Sequence, residues 1–321
     1  MRAVQVVELN GPSSVQVVDI ERPERPEGHV LVDVAAAGVN FPDLLLTKGL
    51  YQYKPDPPFT LGSECAGTVR EAPEGSRFAT GDRVVAFTMS GVFAETVAVP
   101  GWAVLPLPDD VPFASGACLP MNYLTAHFTL AVRGELRDGQ TALVHGAAGG
   151  IGTAAIQMAK AMGARVIGVA SSPEKQDVAR RAGADDAIGV DGFKDAVKEL
   201  TGGTGVDVVV DPVGGDRFTD SLRSLAPLRR MLVVGFTGGD IPTVKVNRLL
   251  LNNIDVRGVG WGAFALSRDG YVAWEWDEML PHISSGALAP MISGTFGFDK
   301  AGEALSRLDD RVVTGKVVLE P

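Results

Sequence analysis

The run TALVHGAAGGIGTAAIQMAKAMG, residues 141–163, constrains the fold of this chain more than any other stretch. It reads as a short apolar strand over 141–145, a turn made almost wholly of glycine and alanine over 146–152, and an Ala-rich helix closed by Gly163. Strand, tight turn and helix in that order make a phosphate cradle. Small residues let the backbone approach a pyrophosphate, and the first helical turn offers unpaired N–H groups and the positive end of the helix dipole. A second strand, residues 165–170, follows at once, giving the strand–helix–strand spacing of a dinucleotide fold. In the pattern G-x-G-x-x-G, Gly149 and Gly152 fill the middle and last positions, while the first holds Ala147, with Gly146 one residue earlier. Alanine can make that turn only at negative φ, so the motif reads as shifted. The alternative is a Gly/Ala-rich helix packed closely on a sheet with nothing bound.

A chain of 321 residues can hold two domains, each with its own core. The formal net charge of −10 argues against nucleic acid or an anionic membrane surface as partner. No apolar run approaches the roughly 20 residues of a membrane helix, and the N-terminus MRAVQVVELN lacks an apolar signal core, so a cytoplasmic protein is expected. Two cysteines, Cys65 and Cys118, then read as buried thiols in a reducing compartment.

Up to about Pro112 the pattern is of short strands and turns: 15–20, 30–35, 67–70, 83–87 and 94–99 alternate or run in β-branched residues between Gly, Pro and Asp signals. This predicts a mostly antiparallel barrel, with one brief helix after Pro42 in which Asp43 is a first-turn residue complementing the dipole. From Phe113 the rhythm changes. A helical stretch over 113–132 leads into strands at 141–145, 165–170, 186–188, 206–211, 229–235 and 254–258, separated by helices. Runs of valine and isoleucine without polar alternation imply a parallel sheet covered on both faces. A helix over 267–285, a strand, a helix over 300–308 and a last strand over 315–319 have too little core to stand alone. They are expected to return to the first domain.

Seven segments together resemble the medium-chain dehydrogenase/reductase superfamily, and within it the zinc-free quinone oxidoreductases: GVNFPD (38–43), KGLY (48–51), LGSECAGTV (61–69), GDRV (81–84), LTAH (124–127), VHGAAGGIG (144–152) and TGKVVL (314–319). They span nearly the whole chain in the family's order. The resemblance implies an α/β protein with a Rossmann doubly wound parallel sheet, residues 117–260, and a discontinuous GroES-like, mostly antiparallel β-barrel domain, residues 1–116 and 261–321, with a cleft between them. Zinc-containing members hold the metal with a cysteine, the histidine of a G-H-E motif and a further cysteine or carboxylate. Matching those motifs puts Asn40, Ser63 and Met121 at the three positions, and none is an ordinary zinc ligand. No metal is therefore expected. Reduction of a quinone or conjugated enone fits that lack, because the charge left by hydride transfer spreads onto a conjugated oxygen without a Lewis acid.

The second Rossmann strand ends at Ala170 with Ser171 and Ser172, not with an acidic residue, and Lys175 lies one turn on. Hydroxyls and a cation suit a 2′-phosphate, so NADPH is the expected cofactor. Ser171 or Ser172 is equally suited to cap the helix that starts at Pro173. Ala148, Gly149, Gly150 and Ile151 are assigned to the pyrophosphate. Gly235, Phe236 and Thr237, and Val259, Gly260 and Trp261, follow the fifth and sixth strands, where open α/β sheets bind ligands. The resemblance puts Asn40 and Tyr51 at the chemistry, as amide and hydroxyl donors, and Thr125 near the cofactor ribose. Trp261, Tyr51 and Tyr53 would wall a flat substrate, with Trp261 as a core residue the alternative. His127, His145 and Asp211 read as structural. The expected activity is reduction of a quinone or α,β-unsaturated carbonyl. The alternatives are an enoyl-thioester (enoyl-CoA) reductase and a non-catalytic, crystallin-like NADPH-binding protein. A homodimer through the edge strand near 254–259 is expected.

Overall fold

The computed structural model describes all residues, Met1–Pro321, and they fall into two compact units. The first comprises Met1–Met121, Val272–Leu280 and Ile292–Pro321; the second comprises Asn122–Tyr271 and Pro281–Met291. The chain from Ile292 onward lies in the first unit, whereas residues 261–271 and 281–291 lie in the second. For 261–271 the reason is aromatic packing: Phe264 stacks on Phe128 with ring centroids 5.0 Å apart and meets Tyr271 at 5.2 Å.

In the first unit the strands are β1 (Arg2–Val6), β2 (Val15–Asp19), β3 (His29–Val39), β4 (Phe59–Thr60), β5 (Glu64–Glu71), β6 (Arg83–Phe87), β7 (Thr96–Pro100) and β8 (Val104–Pro106). The second unit follows with β9 (Thr141–His145), β10 (Arg165–Val169), β11 (Asp186–Ile188), β12 (Val206–Asp211), β13 (Leu225–Val233) and β14 (Asp255–Gly258). Finally β15 (Ile292–Gly297) and β16 (Lys316–Glu320) complete the first unit. Its main sheet runs β15-β16-β3-β5-β6-β8, with β7 also on β3, and every pairing is antiparallel except β15 with β16. A smaller sheet, β2-β1-β4, accompanies it. β3 is the centre of this layout because its length lets it pair with β16, β5 and β7.

The second unit has the order β11-β10-β9-β12-β13-β14, all parallel. Chain order reverses between β9 and β12, which is where such sheets open a crevice at their carboxyl ends. Leu143, Ile167, Val169, Val209 and Met231 lie in one buried core with Phe193, Val197 and Phe218 of the covering helices. Burial on both faces explains the valine runs. β13 starts four residues before the expected point, because a register shift opposite Val206 and Val208 lets Leu225 pair. The stretch 113–132 is helical but irregular, with wide π-type turns at Pro120–Leu124 and Phe128–Arg133.

Candidate active site

Each unit carries one component. In the second, β9 ends at His145 and the chain turns through Gly146, which adopts a left-handed φ of +58°. Ala147 avoids positive φ, so the fingerprint is indeed shifted: the glycine one place early makes the turn, and alanine follows in an ordinary conformation. Ala147 N–H bonds Val169 O at 3.1 Å and Gly149 N–H bonds Gly146 O at 2.9 Å, fixing the loop. A Cβ on Gly152 would lie 2.1 Å from Gly146 O, so only glycine lets the helix Gly150–Ala161 start this close to the turn. The first-turn N–H groups of Gly150, Ile151 and Gly152 have no backbone acceptor, as helix starts require. They fit the pyrophosphate of a dinucleotide.

Around the cradle, Ser172 is the cap of the helix Pro173–Arg181, its hydroxyl accepting Lys175 N–H at 3.3 Å. Ser171 beside it is exposed, and Ala148 is buried. Gly235, Phe236 and Thr237 form a loop tied to the end of β12, with Thr237 N–H and hydroxyl both on Pro212 O. Val259 N–H bonds Val233 O, and Gly260 precedes the short helix Trp261–Ala265. Trp261 is only 5% exposed, so its indole takes the core alternative. Thr125 is half-buried in the irregular helix. His145 is buried, and burial pushes its imidazole down to about 3. Ser221 Oγ donates to Arg217 O, so it accepts from His145 Nε2 at 2.8 Å. The neutral ring thus carries its proton on Nε2, and Nδ1 has no partner, so this histidine is only half satisfied. Asp211 Oδ1 accepts the N–H groups of Val213 and Gly214 at 2.9 Å each, shaping the loop after β12.

The first unit holds a buried polar cluster where β3, β5 and β16 run side by side. Lys316, 3% exposed, donates to Asn40 Oδ1 at 2.6 Å, Glu64 Oε1 at 2.8 Å and Val39 O at 3.0 Å. Asn40 Nδ2 donates to Glu64 Oε1 at 2.9 Å and Ser63 Oγ at 3.2 Å. Met121 N–H donates to Glu64 Oε2 at 2.8 Å. Gly38 makes room, since a Cβ there would lie 2.6 Å from Glu64 Oε1 and 2.4 Å from Ala117 O. Asn40 also occupies the cap position of the helix Phe41–Thr47, and its backbone N–H donates to Asp43 Oδ2 at 2.8 Å. Its side-chain oxygen is engaged by Lys316, so the cap role falls to the backbone and to Asp43. Burial drives the Asp43 carboxyl up to about 7, against the opposing pull of the Asn40 N–H and Lys316. Tyr51, half-buried just after this helix, has its hydroxyl pushed upward by burial and by Asp43. Tyr53 is 39% exposed.

The alcohol dehydrogenase GroES-like domain family matches residues 26–109, and the zinc-binding dehydrogenase family matches residues 150–284. Quinone oxidoreductase-like protein 2 of Rattus norvegicus is 38% identical over 322 aligned residues, which cover 99% of this chain and 91% of the rat protein. The chain belongs to the quinone oxidoreductase family of the medium-chain dehydrogenases/reductases. Among solved structures, a probable oxidoreductase from Mycobacterium abscessus is 45% identical with a TM-score of 0.93, covering 100% of this chain and 99% of that one. The quinone oxidoreductase of Escherichia coli complexed with NADPH is 28% identical with a TM-score of 0.92 over the full length of both chains. The GroES-like and Rossmann-like assignment of the two units stands with these relatives.

Although one matched family is described as zinc-binding, the residues of this quinone oxidoreductase family member do not fit zinc. The three matched positions carry an amide, a hydroxyl and a thioether, and the amide oxygen is already held by an ammonium 2.6 Å away. Sequence reasoning missed Lys316 and Glu64. Both stand in family-like segments, TGKVVL and LGSECAGTV, and a charge at the mouth of an otherwise apolar strand was the available signal. The need for glycine at position 38 had no such signal, because the atoms it makes room for are distant in the chain.

Proposed function

We propose that this protein is an NADPH-dependent reductase that transfers a hydride to a quinone or an α,β-unsaturated carbonyl without a metal. The observation that carries the reading is that Asn40, at one of the positions that hold zinc in other members of the superfamily, is locked to Lys316 and Glu64 and offers no free ligand atom. Alcohol oxidation calls for a Lewis acid, whereas a conjugated acceptor needs only donors for its oxygen. The acceptor-free amides of the glycine cradle support the choice of cofactor, as does the NADPH complexed with the Escherichia coli quinone oxidoreductase.

NADPH, when bound, supplies the hydride. In this reading Ala148, Gly149, Gly150 and Ile151 hold its pyrophosphate, and Ser171, Ser172 and Lys175 its 2′-phosphate, with Ser172 also capping its helix. Thr125 meets the ribose, and the backbone of 235–237 and 259–261 holds the carboxamide. Asn40 and Tyr51 serve the acceptor. The amide of Asn40 is oriented by Lys316 and Glu64, so its contribution is a fixed local dipole, and Tyr51 is the hydroxyl donor.

The test is consumption of NADPH by chelator-treated protein with a panel of quinones, enones and enoyl-CoAs. Turnover with quinones or simple enones is expected. Strict dependence on a thioester would make the protein an enoyl-thioester reductase, and saturable NADPH binding without turnover would leave it a binding protein. A homodimer belongs to the same proposal. β14 pairs only with β13, leaving an edge, and Val246, Leu250 and Leu251 just before it are each more than 70% exposed. A second copy pairing edge to edge would cover both.

A further inference from the structure

The carboxyl end of β14, in the second unit, borders a pocket of about 390 Å³, within the roughly 300–1,000 Å³ of small-molecule sites. β12 and β13 stand between β14 and the β9 of the glycine cradle, which sets the pocket roughly 14 Å along the sheet from it. Two rings, Phe128 and Phe264, and two guanidiniums, those of Arg133 and Arg268, line it. Each guanidinium is anchored to a backbone carbonyl. Arg133 Nε donates to Gly258 O at 3.0 Å, and Arg268 Nη1 donates to Phe264 O at 2.8 Å, with its Cζ 3.7 Å from the centre of the Phe264 ring. The remaining donors of both meet no carboxylate. The acids nearby are committed elsewhere: Glu135 holds Arg230 and Arg257, and Asp255 holds Arg257. Asp269, beside Arg268 in the chain, pairs with neither guanidinium of the pocket. Arg257 also donates to Arg133 O at 2.9 Å and Arg230 to Gly134 O at 3.0 Å, so this is one local arginine group, a positive site in a chain of formal net charge −10. Glycine keeps the pocket open. A Cβ on Gly258 would meet nothing within 4 Å, and one on Gly260 only Ala263 Cβ at 3.9 Å. Neither glycine has a positive φ, so the missing side chains provide volume and not a turn.

We propose that this pocket is a binding site for a small aromatic carboxylate. A guanidinium offers paired N–H donors in the geometry a carboxylate accepts, and here two of them stand without a competing acid. Phe128, Phe264 and the Ala263 methyl take the apolar body of the ligand. Carbonyl anchoring and stacking on Phe264 hold Arg268 in place before the ligand arrives, which lowers the ordering cost of binding. Both halves of the ligand are needed. A bare inorganic anion would fill a fraction of the volume and leave the rings wet, and a neutral ring would leave the guanidiniums unpaired. The site stands apart from the reductase reading, since binding there requires neither hydride nor acceptor.

The experiment is isothermal titration of the full chain, at low ionic strength, with 2-naphthoate, 2-naphthamide and inorganic phosphate. 2-Naphthoate should bind saturably, one per chain, with Kd below about 1 mM. The neutral amide and phosphate should each bind at least about tenfold more weakly. Arg133→Gln and Arg268→Gln should each weaken naphthoate binding by about tenfold or more. Gly258→Leu, which fills the pocket and keeps both charges, should abolish it. Arg133 is half-buried and Arg268 exposed, so their substitution leaves the core intact and decides the matter if Gly258→Leu does not fold. No saturable binding of naphthoate overturns the inference. Equal affinity for the amide or for phosphate overturns it as well, by removing the charge or the ring from recognition. Binding that both arginine variants retain places the ligand elsewhere on the protein and overturns it too.

Discussion

Replacing Lys316 by methionine removes one charge and keeps the length of the side chain. The structure states what is lost: three hydrogen bonds of 2.6 to 3.0 Å from a residue 3% exposed, and the counter-ion of a Glu64 with no exposed surface. Removing one partner of a buried ion pair costs about 3–5 kcal/mol, because the remaining charge cannot return to water. At about 2–4 °C per kcal/mol for a domain of this size, Lys316→Met should lower the melting temperature of the first unit by roughly 6–20 °C. The same pair removed together, Lys316→Met with Glu64→Gln, leaves no uncompensated charge and should recover at least half of the loss, about 1.5–2.5 kcal/mol or more. Urea unfolding followed by tryptophan fluorescence gives the energies, and scanning fluorimetry the temperatures. A loss below about 1 kcal/mol for the single variant, or a double variant no better than the single, would refute the claim that the ammonium organises this cluster.

Gly38→Ala should destabilise the same unit by about 1–3 kcal/mol, since the new Cβ would sit 2.4 Å from Ala117 O and neither that backbone nor Glu64 can retreat freely; urea unfolding measures it. The pH dependence of stability carries two opposite signatures. Asp43, raised from the usual 3.8 to about 7 in the folded state, holds its proton more tightly than the unfolded chain does, so its contribution falls between about pH 4 and 7, by about 4 kcal/mol, and is level above. Asp43→Asn should remove that slope, and a variant keeping it would contradict the assignment. His145, held neutral down to about 3, works the other way: the unfolded chain takes up a proton first, so stability falls as pH drops from about 6.5, and His145→Gln should flatten that limb. Lys175→Ala should lower the ratio of NADPH to NADH efficiency by about tenfold, and an unchanged ratio would remove this residue from the 2′-phosphate site. Leu250→Glu with Leu251→Glu should give a monomer by light scattering where the wild type gives a dimer; a wild type already monomeric would end the dimer proposal.

Local pattern alone determined the second unit. Valine and isoleucine runs long enough for strands, separated by helices and punctuated by glycine, admit only a parallel sheet covered on both faces, and TALVHGAAGGIG sets a strand, a turn and a helix start in sequence with no help from distant residues. That is why β9 and β12 match their expected bounds to the residue, and why even the displaced glycine of the fingerprint was legible: its role depends on the backbone of Gly146 and Ala147 only. The aromatic packing of Phe264 and Tyr271 on Phe128, which moved residues 261–271 into the second unit, joins positions more than a hundred residues apart and has no local signature. The polar cluster is of the same kind. Asn40, Glu64 and Lys316 meet because β3, β5 and β16 become neighbours, and the chain separation between them leaves no periodicity to read. Single residues showed that none of those positions carries an ordinary zinc ligand; only the folded sheet brought an ammonium to Asn40 and set Asp43 near the Lys316–Glu64 pair.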